Sequence, residues 1–372
     1  MSSDETNAED TIEQFSRGTR FRVEPERIER ALASLWQAAA RTKDHQHSVT
    51  RACLWNLIIH LEEREGREGH AGSDALNAMI PHLPRFIASR TLIVRTKDGA
   101  QPNEEDLETF ISANCVLGPD GKKQVCSEEI TILARDLGDR HVPALVRALV
   151  VPSIPSALVV AGLPPEEEPM IAGLLHTLDR VVVNLDESES PSPLGRAMTL
   201  MDGLPAGLTD LGWIQDAPLR RAVASLFDGQ AIGRRLASLR KIRFSALPDR
   251  PRSAHLFLGW IAGCLSTRPT TRLGIHRWAI EATKADNALI ELILDDEGRL
   301  GVEEIEFVDA DGLRLGIITR CEGSVSVTAN ADGDAVQRTQ VVPSKARDIS
   351  TALSSRDEDD FLRRALFVAR GM

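Results

Sequence analysis

The sequence predicts an α/β fold: an N-terminal, mostly parallel sheet with flanking helices, followed by a C-terminal antiparallel meander of α+β type. Three observations predict it. Short β-branched runs (Arg90 to Arg95, Ala157 to Gly162, Val181 to Asn184) alternate with helix-period segments such as Val142 to Val150, as in buried parallel strands. Two alternating runs, Phe110 to Leu117 and Gln124 to Leu133, flank Gly118-Pro119-Asp120-Gly121, a hairpin signature with residues that supply positive φ and a pre-set proline φ. From Arg272 to Val342 the chain becomes a series of alternating segments joined by Asp/Gly turns.

In chain order, residues 1–22 are acidic, then mixed around Gly18, and read as a flexible N-terminus. Pro25 opens a helix with Ile28, Ala31, Leu32, Leu35 and Trp36 at three- and four-residue spacing. Arg51 to Leu61 reads as a buried strand and Glu62 to Gly72 as a charged loop. Ser73 caps a helix through Ala75, Leu76, Met79 and Ile80, ended by Pro81 and Pro84. Beyond the hairpin, Met170 to Leu178 is helical, with Glu166-Glu167-Glu168 in its first turn, where the macrodipole favours carboxylates. Pro193 starts another helix, Leu204 to Gly212 is a loop, and Pro218 to Phe227 is helical. Arg240 to Ala246 is a strand with basic residues on one face. Ala254 to Leu265 is a helix apolar on nearly all sides, hence packed between layers. Strands follow over Leu273 to Thr283, Ala288 to Leu294, Val302 to Val308, Arg314 to Cys321, Val325 to Ala329 and Val336 to Val342, and then a helix with Phe361, Leu362, Ala365, Leu366 and Val368. The Thr267 to Thr271 linker sets the expected domains at 23–268 and 269–372.

Bulk properties narrow the function. At 372 residues, 42% hydrophobic and 27% charged, two ordinary domains are expected. No apolar run approaches the roughly 18–20 residues of a membrane span, and Met1 to Asp10 is unlike a secretory leader. Five scattered cysteines, an odd number, read as reduced thiols in a cytoplasmic protein. A net charge of -11 with no basic-aromatic cluster argues against nucleic acid.

No Gly-x-Gly-x-x-Gly follows a strand, and no Walker A, Gly-x-Ser-x-Gly or His-Glu-x-x-His motif is present. No Cys-x-x-Cys spacing offers a metal site, and His45 with His47 reads as a solvated loop. Neither cofactor nor metal is therefore expected. Cys115 and Cys126 sit on the two arms of the hairpin. They read as packed thiols, or, if the register opposes them, as a thiol switch. Ser127-Glu128-Glu129 follows directly. Alternation puts the two glutamates on opposite faces, so one turns inward toward an arginine such as Arg51, Arg90 or Arg95. A catalytic carboxylate pair lacks a partner at recognisable spacing, so structural pairing is the commoner role. Arg90 and Arg95 around an apolar strand, and the Arg240, Lys241, Arg243 cluster, offer phosphate chemistry against the plainer role of solvated strand ends.

Together, Arg51-Ala52-Cys53-Leu54-Trp55-Asn56-Leu57-Ile58-Ile59, Asn114-Cys115, Val125-Cys126-Ser127-Glu128-Glu129-Ile130-Thr131, Leu163-Pro164-Pro165 and Asp179-Arg180-Val181-Val182-Val183 resemble the OpcA family, the glucose-6-phosphate dehydrogenase assembly proteins. The likeness is strongest from about Arg51 to Phe227. The run Leu158-Val159-Val160-Ala161-Gly162 departs from it, since other members carry aromatics there. The resemblance implies a non-catalytic, cytoplasmic protein that binds glucose-6-phosphate dehydrogenase and favours its active oligomer, with redox control in some members. The expected contact region is the Cys126 to Glu129 neighbourhood with an edge of the meander. The alternatives are a sugar-phosphate- or nucleotide-binding α/β enzyme using the carboxyl ends of the parallel strands, and a thiol-based redox regulator. A sugar-phosphate effector also fits the partner set.

Overall fold

Two hydrophobic patterns, continuous and alternating, build two different sheets. The computed structural model describes residues 14–15, 18–41, 48–63, 71–97, 106–117, 123–135, 141–163, 169–188, 190, 192–205, 207–228, 233, 235–266, 270–283, 288–295, 302–321, 324–331, 334–341, 345–354 and 359–372. It divides into two units, Met1–Val183 with Leu204–Ala206, and Asn184–Gly203 with Gly207–Met372. The His45/His47 loop, the Gly118 to Gly121 turn, the Pro164 to Glu168 stretch and most of the 267–271 linker lie outside the described residues.

The first unit runs Phe21–Arg22 (β1), Ile28–Arg41 (α1), Ser48–Arg51 (β2), Trp55–Glu63 (β3), Ala71–Met79 (α2), Ser89–Lys97 (β4), Leu107–Leu117 (β5), Lys123–Arg135 (β6), Val142–Leu149 (α3), Ser156–Val160 (β7), Pro169–Leu174 (α4) and Arg180–Val183 (β8). Strand β3 pairs in parallel with β4 and β7, β7 with β8, and β4 with β6. Strand β5 returns antiparallel to β6, and β1 antiparallel to β5. Leu57, Ile58 and Ile59, like Leu92, Ile93 and Val94, are buried consecutively rather than alternately, because both faces of these central strands are covered. This is the α/β class that the runs predict. The N-terminus departs from expectation: Phe15 is buried with its ring edge-on to Trp36 at 5.5 Å, and β1 extends the sheet. An apolar anchor of that size outweighs the polar composition around it.

The second unit holds Pro193–Gly203 (α5), Leu208–Asp210 (β9), Leu211–Gln215 (α6), Ala217–Asp228 (α7), Leu239–Ser245 (β10), Pro251–Leu265 (α8), Thr271–Gly274 (β11), Arg277–Ala282 (β12), Ala288–Asp295 (β13), Val302–Asp309 (β14), Arg314–Cys321 (β15), Ser324–Ala331 (β16), Asp334–Val341 (β17), Lys345–Ser354 (α9) and Asp360–Ala369 (α10). Its eight-stranded sheet is ordered β11-β12-β13-β10-β14-β15-β16-β17. The meander is interrupted: β10 lies between β13 and β14, parallel to the first and antiparallel to the second. The expected boundary at 267–271 is displaced for the same reason, since β10 precedes that linker and its Ile242 and Phe244 belong to the core of this sheet. Where a loop was expected before Trp213, Asp210 caps α6 by accepting from the Trp213 N–H. Helix α9 was not expected. Helix α8 packs between the sheet and α10. A Cβ at Gly259 would stand 2.7 Å from the Ala365 carbonyl, so the close helix approach needs glycine there.

Candidate functional site

Polar side chains buried at the amino ends of the parallel strands form one cluster in the first unit. Asn56, the second residue of β3, donates to the Val151 and Ile154 carbonyls at 3.1 and 3.0 Å and accepts from the Val151 N–H at 2.8 Å, holding the loop after α3. Arg90, the second residue of β4, stands opposite Glu128 in the parallel register. The alternation along β6 decides which glutamate turns inward. Glu128 accepts from Arg90 Nε at 2.8 Å, Arg51 Nε at 2.8 Å and Trp36 Nε1 at 2.5 Å. Glu129, on the other face, meets Arg20 at 3.5 Å and the Asn114 amide at 3.2 Å. Ser127 accepts from the Ser89 N–H at 3.3 Å.

The Arg90 side chain is only 3% exposed, and it is fully engaged, donating also to Glu29 at 2.5 Å and the Leu149 carbonyl at 2.7 Å. Burial works against its charge, but Glu29 and Glu128 outweigh that and raise its pKa. Such a guanidinium is committed to carboxylates and leaves no fork for a phosphate. Arg95, toward the other end of β4, donates to Asn77 at 2.5 Å and does not join the cluster. Arg240, a residue of the second unit, is exposed and donates to the Ala237 carbonyl at 2.8 Å. The structure thus brings together Arg51, Arg90, Glu128 and their neighbours, and leaves Arg95 and Arg243 elsewhere.

Beside this cluster the antiparallel register sets Cys115 against Cys126, with Cα atoms 4.0 Å apart, and a disulfide joins them. The expectation of five reduced thiols fails for this pair, because register rather than spacing along the chain brought the sulfurs together. Cys53 donates to the Trp55 carbonyl at 3.5 Å, and burial pushes its thiol up, so it stays neutral. The rim is mixed in character: Arg20 and Arg51 are about half exposed, and the apolar Leu54 and Val125 are 64% and 38% exposed.

The second unit carries a buried charge network that sequence reading did not single out. Arg250 reaches Asp216 at 2.9 Å and Glu303 at 3.4 Å, and Arg320 reaches Asp216 at 2.5 Å and Glu303 at a shorter contact. Asp186 accepts from the Arg252 and Ser253 N–H groups at 2.7 and 3.0 Å, and Asp210 from the Leu185 and Trp213 N–H groups at 2.8 and 2.7 Å. Burial raises Glu303 to about 8 and Asp210 to about 7, against the opposing pull of Arg250 on the first and the Leu185 N–H on the second. Apart from the Asp210 cap on Trp213, their partners are separated by tens of residues, so no local spacing could have marked them. A cleft of about 510 Å³ opens nearby, lined by Ser192, Gly195, Arg252, His255 and Arg370.

Among the described residues no group of three or more His, Cys, Asp or Glu is arranged to hold a metal. Among the same residues no helix is long and apolar enough to cross a membrane. Each carboxylate named above has guanidinium or backbone donors on it.

Residues 81–198 match the family model for the N-terminal domain of the glucose-6-phosphate dehydrogenase subunit, and residues 206–366 match the model for its C-terminal domain. The curated protein named "Putative OxPP cycle protein OpcA" from Nostoc punctiforme is 24% identical over 256 residues, 66% of this chain and 55% of its own length. Its namesake from Synechocystis is 20% identical over 219 residues, 56% of this chain and 46% of its own. The chain thus spans about half the length of these relatives. Among solved structures, a dehydrogenase from Chromobacterium violaceum superposes with TM-score 0.45 at 10% identity, over 85% of this chain and 93% of that one. An oxidoreductase from Thermotoga maritima gives 0.44 at 10% identity, over 86% and 95%.

Proposed function

The chain belongs to the OpcA family, the glucose-6-phosphate dehydrogenase assembly proteins, and from that premise we propose that it is a non-catalytic partner of glucose-6-phosphate dehydrogenase that favours the enzyme's active oligomer in the oxidative pentose phosphate cycle. The observation that carries this reading is the pair of matched family domains, which between them take in most of the chain. The geometry of the first unit supports it. The polar cluster sits at the amino ends of the parallel strands, whereas nucleotide-binding sheets of this class use the carboxyl ends. Both oxygens of Glu128 are occupied by donors, so it is no free base. The half-exposed Arg20 and Arg51 with exposed Leu54 make a mixed apolar and cationic rim of the kind that docks a protein.

Activation then needs no chemistry in the partner. A protein that binds the competent oligomer about tenfold better than the poor one shifts their ratio by about tenfold, or ~1.4 kcal/mol. A second reading has its own observation. The Cys115–Cys126 disulfide lies on the strand that carries Glu128, so its reduction to two thiols loosens the docking rim and tunes binding.

The test mixes the purified chain with glucose-6-phosphate dehydrogenase from the same source, following mass by light scattering and rate against substrate concentration. A stable complex with a lower apparent KM or higher kcat is expected, weakened about tenfold or more by Leu54→Asp. No complex and unchanged kinetics, with both proteins folded, would overturn the reading.

A further inference from the structure

Among the described residues, the eight-stranded sheet of the second unit is covered on one face only. Ile242, Phe244, Trp278, Leu292, Ile305 and Phe307 point to the side where α7 and α8 pack. The other face is solvent-facing: Arg243 and Glu304 are exposed, Leu289 is 65% exposed, and Ile293, Glu306 and Ile317 are half-buried. This face is not the charged surface expected of a chain carrying net charge -11. Arg277 pairs with Glu291 and Arg314 with Glu306, so the signs nearly balance locally. Apolar Ile293 and Ile317 stand between the charges. Beyond them, past Arg314, β15 and β16 present the uncharged Thr319, Cys321, Ser324, Ser326 and Thr328.

The order of side chains across this face is complementary to itself. The midline runs between β10 and β14, with four strands on either side. Following the register across the sheet, one row reads Arg277, Ile293, Arg243, then across the midline Glu306, Ile317, Thr328. The next row reads Glu291, Lys241, then Val308, Arg314. A two-fold axis laid along the strands over this midline, between two such faces, sets each position opposite its mirror position in the row. Arg243 then meets Glu306 of the second copy, Ile293 meets Ile317, and Glu291 meets Arg314. Stacked sheets pack about 10 Å apart with strands crossing at about 30°, so these pairings hold best near the axis.

We propose that this open face is the interface of a two-fold dimer of the chain, two copies packing sheet on sheet across the β10/β14 midline. The dimension fits. Eight strands about 4.8 Å apart, each with about six residues rising ~3.3 Å, give a face of about 750 Å² per copy. A stable interface buries about 800 Å² per partner. Because neither of these two rows sets like charges opposite each other across the axis, burying them brings no charge against another of its own sign, which is what makes a charged face unfit for burial. The uncharged Ser/Thr strands toward β17 pack without that cost, and a partner shields a sheet that would otherwise stand open to non-specific pairing.

The test uses the full chain alone. Sedimentation equilibrium is expected to give twice the chain mass at micromolar concentration. Ile317→Arg, an outward-facing change that leaves the circular dichroism melt in place, is expected to weaken self-association by about 30-fold or more. A covalent probe fixes the geometry. With Cys321→Ser to remove the exposed thiol, the pair Ile293→Cys and Ile317→Cys is expected to give a disulfide-linked dimer on a non-reducing gel. Within one chain these positions are three strand spacings, about 14 Å, apart and cannot bridge. A monomer at all concentrations, a dimer indifferent to Ile317→Arg, or a dimer that fails to cross-link would each overturn the proposal. So would a chain that is monomeric alone but loses its dehydrogenase complex on Ile317→Arg, which would give the face to the enzyme instead.

Discussion

At the scale of single residues, buried charge governs the first unit. Arg90 and Glu128 are 3% and 4% exposed and 2.8 Å apart, so removing either takes a buried partner from the other, leaving Glu29 on Arg90 and Arg51 with Trp36 on Glu128. Glu128→Leu is expected to cost about 1–3 kcal/mol, read as a lower midpoint in chemical denaturation, and to exceed the cost of replacing both members by Glu128→Leu with Arg90→Met. His60 gives a pH dependence of definite sign. Burial lowers it to about 4, and its ring lies 3.0 Å from the Thr96 hydroxyl. Its folded pKa is depressed below the ordinary value of 6.5, so the unfolded chain binds the extra proton first. Its contribution is intact above pH 6.5 and is lost as pH falls toward 4, by about 2 kcal/mol at pH 5. Thermal melts from pH 7 to 5 are expected to fall less steeply in His60→Leu. A parallel slope in the variant would show that other groups carry the acid loss. The inward glutamate and its candidate arginines could be named from alternation along one strand. Trp36 and Glu29, which complete the cluster, could not, because they arrive on a helix about 60 to 90 residues earlier.

At the scale of elements, the hairpin of β5 and β6 was legible from its alternation, but the bond across it depended on register. A shift of one residue would separate Cys115 from Cys126 and turn Glu128 outward. The disulfide closes a separation of 11 residues, a loop size for which cross-linking stabilises by about 2–3 kcal/mol. Adding dithiothreitol is expected to lower the melting temperature of the parent chain and to leave a Cys115→Ser, Cys126→Ser chain unchanged. An unchanged parent would show that the bond contributes nothing. Helix α8 was read as packed between layers, and it is. The reason its neighbour comes so close, the bare Gly259 beneath Ala365, is visible only once α10 is in place.

At the scale of the whole molecule, the second sheet depends on a strand from before the linker. Residues 269–372 alone leave out β10 and would expose the facing edges of β13 and β14 down the middle of the sheet. That fragment is expected to show no cooperative thermal transition, whereas 184–372, which contains the second unit, is expected to melt cooperatively. A cooperative melt of the shorter piece would show that the strands after the linker are self-sufficient.

The sequence by itself determined the α/β class, the parallel runs, the hairpin and the alternating C-terminal strands, because burial on two faces or on one writes a local period into the chain. It also offered Arg51, Arg90 and Arg95 as candidate partners of an inward glutamate, and Cys115 with Cys126 as a candidate pair. Only the tertiary structure decided that β10 enters the second sheet, that the two sulfurs meet, and that Arg250, Arg320, Asp216 and Glu303 share one buried network. The strand and the network join residues across tens of positions, the sulfurs meet through register, and the free energy that selects such pairings comes from packing and desolvation, which leave no periodic trace along the chain.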